Sequence, residues 1–244
     1  MPLHRRHLLH TTLASGLALA VYPLPLFAAA RAPFRRLAVI DPPFVEEYEV
    51  LIATAPPLLR GTLGTLITQA VTRNDAQLKT ERLTHALDPD LTRLHEHFVQ
   101  ALAEALDEAD VKVLLVPVQA ARDEAALFDQ VRKAAPQADA VLLANVMGRF
   151  VALHGLTAYV PGVMVGIKAL NQRGDKVWLE KIFSAGFRGI DPRAEHLESV
   201  LMPQRFDDAE ALLAQVRSAR QALIQGVEGI AAEVARRLMA GNSK

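Results

Sequence analysis

The sequence predicts an α/β fold, leaning towards α+β: a single mixed sheet in the order β-α-β-α-β-β-β, followed by a long C-terminal helix. Two patterns predict it. Strand-like apolar runs alternate with helical periods between Arg35 and Ala135, which implies parallel crossovers. Three further runs, Asp139–Met147, Tyr159–Leu170 and Lys176–Phe183, then follow with turn chemistry and no helix between them. They read as an antiparallel meander ending near Gly186, the expected centre of the sheet.

The first strand is Arg35–Asp41, with Leu37–Ile40 as its buried run and Asp41-Pro42-Pro43 as its stop. Residues 46–82 read as an insertion. Within them Val50–Thr54 has the composition of a short strand, and Pro56-Pro57 breaks the chain. Leu58–Val71 is apolar with small residues at Gly61, Gly64, Thr65 and Thr68: either a packing helix or a segment for peripheral membrane contact, too short to span.

Asp88-Pro89-Asp90 is a helix start: a cap, a proline at the first turn and an acid at the positive end of the dipole. Leu91, Leu94, Phe98, Leu102 and Ala105 share the predicted inner face. On the same helix His95 and His97 are two positions apart, about 200° around the axis, so they cannot hold one metal ion and read as solvated.

Val111–Val116 is the next strand, closed by Pro117. Asp123 caps a helix that turns Leu127, Phe128, Val131 and Ala135 inward and ends at Pro136. After the meander, Asp207 and Glu210 have capping-box spacing, and an apolar stripe runs from Leu212 to Leu238. Unbroken over about 33 residues of this C-terminal segment (204–241), the helix would be about 50 Å long. Gly226 and Gly229 are the expected place for a bend; a straight helix would overhang and offer a homodimer contact.

The N-terminus reads as an export signal over residues 1–30. Arg5-Arg6 precede an apolar run, Thr11–Phe27, and small residues follow, with cleavage expected after Ala30 or Ala32. Arg5-Arg6-His7-Leu8-Leu9 is twin-arginine-like, although His4 and His10 stand where that signal has its usual flanks, which leaves the Sec route open. The domain itself is expected over 35–186, in a periplasmic protein.

Basic and acidic residues balance at 27 each, and aromatics are 5%, which argues against a nucleic-acid partner. The chain has no cysteine. Disulfides, thiolate metal sites, a Cys nucleophile and lipidation of an N-terminal Cys are therefore excluded, so the chain is not expected to be a lipoprotein.

Ala138-Asp139 at a strand start, Tyr159 and Pro161 on the next strand, and Gly174-Asp175 before Val177-Trp178 carry a resemblance. The pattern resembles periplasmic α/β domains of bacterial envelope proteins, of the TolB N-terminal and curli-secretion type. The resemblance implies a non-catalytic envelope role: holding, coupling or activating a larger assembly through a protein partner.

No motif for catalysis, cofactor or metal emerges from the residues. Ser184-Ala185-Gly186 is half a nucleophile elbow at the wrong end of a strand. The polar group singled out is His154, in the expected loop 151–159, with Arg149 and Tyr159 as companions in an interaction loop. Two alternatives accompany the contact role: a binder of a small apolar ligand or lipid using 58–71, and a hydrolase using the 151–159 loop. Trp178 and Tyr159 read as sheet or core aromatics.

Overall fold

Among the described residues β4 (Ala140–Leu153) is the longest strand of a seven-stranded mixed sheet, and two different strands share its first edge. β1 (Arg36–Asp41) pairs parallel with Ala140–Leu142, and β2 (Tyr48–Ala53) pairs parallel with Gly148–Leu153. In the sequence β1 is followed by Pro42 and Pro43, which have no N–H for a ladder. β5 (Tyr159–Asn171) lines the other edge of β4 antiparallel, and β6 (Val177–Gly186) pairs antiparallel with β5. β3 (Lys112–Pro117) flanks β1 at one end of the sheet, and the two-residue β7 (Glu195–His196) flanks β6 at the other. The computed structural model describes residues 33–41, 48–53, 77–153, 158–188 and 191–240. The export signal, the 58–71 segment and His154 lie outside these residues.

The mixed sheet and the strand–helix alternation are those expected. β4 is longer than read, because Val151, Ala152 and Leu153 continue it. Three residues of the loop expected over 151–159 therefore belong to β4, and Tyr159 begins β5.

Strand alternation sorts the core into two layers. Leu37, Val39, Ala140, Leu142, Phe150, Val163, Val165 and Phe183 face α3 (Leu94–Asp107) and α6 (Val216–Ala240). Ala38, Ile40, Val116, Val141 and Leu170 face α4 (Glu124–Ala134) through Phe128 and Val131. Asp123 caps α4 as expected, accepting the N–H of Ala126 at 2.9 Å.

A helix over 77–87, α1, serves β2 where a strand otherwise would. Thr80 and Thr84, one turn apart, accept the N–H groups of Val50 and Tyr48 at 2.9 and 3.1 Å. Their spacing on a helix, about 6 Å, matches the roughly 6.7 Å between alternate strand residues. After α1 the chain makes one short turn, α2 (Pro89–Thr92), then passes Arg93 at φ 42° before α3 begins. That break removes Leu91 from the buried stripe: it is 63% exposed, while Leu94, Phe98, Leu102 and Leu106 are buried. His95 and His97 also differ from the solvated pair expected. The ring nitrogens of His95 are shielded from solvent, and Nδ1 of His97 lies 3.6 Å from Oε1 of Glu228 on α6.

The C-terminal helix breaks at Gln215 and not at its glycines. α5 (Ala209–Ala214) is capped by Asp208, one residue after the expected Asp207, with the N–H of Ala211 at 2.7 Å. α6 then runs 25 residues straight through Gly226 and Gly229. The glycines permit close packing: a Cβ at Gly229 would lie 2.6 Å from Val200, and one at Gly226 2.8 Å from Met202. The stripe from Ala219 to Leu238 is buried within the chain itself.

Candidate functional site

The α4 face of the sheet is covered unevenly among the described residues. α4 lies over β1, β3 and the start of β4. Beside it, a groove of about 600 Å³ crosses β4, β5 and β6, floored by Leu143, Asn145, Gly166 and Ile182 and rimmed by Lys168 and Arg193. Leu143 and Asn145 alternate with the buried Leu142 and Ala144, which point into the other layer.

The charges at the rim are paired. Lys168 donates to Glu124 of α4 at 2.7 Å and lies 3.9 Å from Glu180. The hydrogen bond to Glu124 raises the lysine's pKa above its ordinary value, against the opposing effect of burial. Arg193 closes onto Asp191 at 2.8 Å and, with its own backbone N–H, pulls that carboxyl down to about 2. On the α6 face, at the β6–β7 edge, Lys181 and Arg237 both hold Glu195, whose pKa they lower. A rim of satisfied ion pairs around a partly apolar floor suits a complementary surface. It does not set aside an acid or base for proton transfer.

Of the expected interaction residues, the structure separates two. Arg149 lies on the α4 face, its Nε 2.8 Å from Oε2 of Glu49, the residue directly opposite on β2. The guanidinium packs against the sulfurs of Met147 and Met164 at 3.0 and 3.2 Å, leaving 12% of the side chain exposed. Tyr159 belongs to the other face and is buried in the main core. Its backbone exchanges hydrogen bonds with Phe206 at 2.6 and 3.0 Å, and Nζ of Lys79 lies 6.0 Å from its ring centre. Arg149 and Tyr159 therefore do not form one site; a sheet stands between them. Trp178 is partly buried against the main core, stacked on Phe34 with ring centres 5.1 Å apart.

The structure also joins two residues that the sequence does not pair. Ser184 of β6 and His196 of β7 face each other in the parallel register, Oγ to Nδ1 at 3.3 Å. Burial, aided by the charge of Arg188, lowers the pKa of His196 and favours the neutral ring. Ser184 is 7% exposed, and among the described residues no carboxylate hydrogen-bonds to His196. The pair lacks the orienting group of a triad and the strand-to-helix elbow that exposes a nucleophile. Its sequence signal is slight, because the twelve residues between the two hold no motif.

No helix of the described residues is long and apolar enough to cross a membrane, and no cluster of ligands for a metal is found among them. No family model matches the chain, and no curated protein matches it. Solved structures do resemble it. Protein XCC0632 from Xanthomonas campestris, described as DUF330, is 12% identical, with 87% of this chain and 86% of that chain covered and a TM-score of 0.38. Hypothetical protein CT253 from Chlamydia trachomatis is 13% identical over 62% of this chain and 72% of its own, TM-score 0.28. Lipoprotein GNA1162 from Neisseria meningitidis is 15% identical over 65% and 88%, TM-score 0.24. None reaches a TM-score of 0.5, so the functional reading rests on this chain's own residues.

Proposed function

We propose that this chain is an exported protein of the bacterial envelope that works through protein contacts and catalyses no reaction. One observation carries the contact role: the groove beside α4, whose floor is partly apolar and whose rim charges neutralise one another. The Arg5-Arg6 segment with its apolar run supports export. Of the 151–159 loop on which the hydrolase reading drew, Tyr159 is buried in the main core, which favours the contact role over that reading. The partner is a folded protein or segment with an apolar ridge across three strands.

Two substitutions test the reading. Arg5→Lys with Arg6→Lys holds the precursor in the cytoplasm if the twin-arginine route is used, and normal export assigns the Sec route. A chain that stays cytoplasmic when unaltered contradicts the proposal. Ile182→Asp puts a charge on the groove floor and releases the envelope protein that otherwise co-isolates, while the thermal midpoint stays near that of the unaltered chain.

A further inference from the structure

The outer edge of β3 is the second surface that fits a partner, and its backbone dictates which kind. Lys112 donates its N–H to Arg35 and Val118 donates to Asp41, so even-numbered residues of the strand turn their N–H and C=O towards β1. The odd-numbered residues turn theirs away from the sheet. At the ends of that outer row the donors run out: the N–H of Val111 is taken by Leu106, and Pro117 has none. Val113 and Leu115 are left as the two outward donors, and no strand pairs with them among the described residues. The side chains are equally unguarded. Leu115 is 47% exposed, and between Lys112 and Pro117 the edge is Val-Leu-Leu-Val. Long apolar edges of this kind pair with another chain unless charge, proline or a covering element prevents it. β2, by contrast, has its edge covered by Thr80 and Thr84.

We infer that β3 pairs antiparallel with β3 of a second copy, on a two-fold axis through Leu114, joining two sheets into one. In this register Val113 of each copy opposes Leu115 of the other. Each pair exchanges both N–H···O bonds, four in all, and uses every outward donor reciprocally. The faces match, because a two-fold axis normal to the sheet keeps each layer continuous. The exposed Leu115 then lies against Val113 of the other copy, and no like charges oppose each other at Lys112, which meets Val116. This contact is separate from the groove and from α6, and it does not depend on the contact role proposed above.

The register gives a direct test. Leu114 meets its own copy as a non-hydrogen-bonded pair, with Cα atoms about 4.5 Å apart, within the range of a disulfide. The chain has no cysteine of its own. Leu114→Cys in the full chain is expected to give a disulfide-linked dimer under mild oxidation, several-fold faster than Leu115→Cys. Sedimentation of the unaltered chain from about 1 to 100 µM should show a concentration-dependent dimer. Leu115→Pro deletes an outward N–H without touching the ladder to β1, and should shift that equilibrium to monomer. Leu115→Lys serves the same purpose if the proline variant does not fold. A monomer across the whole range, a dimer unchanged by Leu115→Pro or Leu115→Lys, or faster cross-linking at Leu115→Cys would each overturn the inference.

Discussion

Val50 donates its backbone N–H to the hydroxyl of Thr80 at 2.9 Å, so a helix side chain completes the hydrogen bonding of an edge strand. Thr84 does the same for Tyr48, one turn on. Thr80→Val keeps the shape and removes the acceptor, leaving the buried N–H of Val50 unpaired. The expected loss is about 1–3 kcal/mol of stability, larger when Thr84→Val is added. Chemical denaturation measures the loss. Hydrogen exchange should speed up selectively at the amides of Val50 and Tyr48.

Arg220 ties the same region to the C-terminal helix. Its guanidinium donates to the carbonyl of Leu87 at 2.7 Å and to Oγ1 of Thr92 at 3.2 Å, and the Thr92 hydroxyl donates to the same carbonyl. Arg220→Ala should cost about 1.5–3 kcal/mol, since a charged donor is lost from a half-buried network. Arg220→Lys recovers only part of this, because an ammonium lacks the planar fork. Urea titration of the three proteins gives the comparison.

Glycine in a helix interior is ordinarily improved by alanine, by roughly 1 kcal/mol. Gly229 is expected to reverse that sign. A methyl there meets both Cγ atoms of Val200, at 2.6 and 2.8 Å, and a β-branched side chain has few rotamers with which to yield. Gly229→Ala should lower stability by about 1–3 kcal/mol, seen as a lower thermal midpoint. A rise would mean that the 197–202 segment moves aside freely.

Acid should weaken the end of α6. The hydrogen bond from Arg236 is the main cause that holds Glu233 at about 2; burial opposes it, and Arg237 adds to it. A carboxyl whose pKa is depressed on folding contributes stability above its unfolded value, near 4.5, and that contribution is lost as pH falls towards 2. Glu195, lowered by Lys181 and Arg237, acts in the same direction. Glu233→Gln is therefore expected to cost about 1–2 kcal/mol at pH 7, after allowance for solvent screening, and almost nothing at pH 2. Denaturation curves for both proteins across that window check it.

Local chemistry made much of this fold legible. Apolar runs bounded by Pro117, Asp123 and the Asn171–Asp175 turn marked β3, α4 and the meander, because strand and helix periods differ within a single segment. What escaped depends on distant partners. Leu91 fits the helical stripe, yet the left-handed Arg93 rotates it out to solvent. Gly226 and Gly229 looked like a hinge because their neighbours, Met202 and Val200, are contacts that no local pattern displays. Ser184 and His196 meet only through the β6–β7 pairing. For the site, Arg149 and Tyr159 are close in sequence, but the parity of their strands places them on opposite faces.

The proposed contacts run through the sheet face that the described residues leave uncovered. A photo-reactive residue in place of Ile182, irradiated in living cells, captures the partner, with the same residue at the exposed Glu104 of α3 as the comparison. A single cross-linked envelope protein is expected from position 182 and none from position 104. Cross-links from position 104 alone, or an uncross-linked chain that turns over a substrate through Ser184, would contradict the contact role.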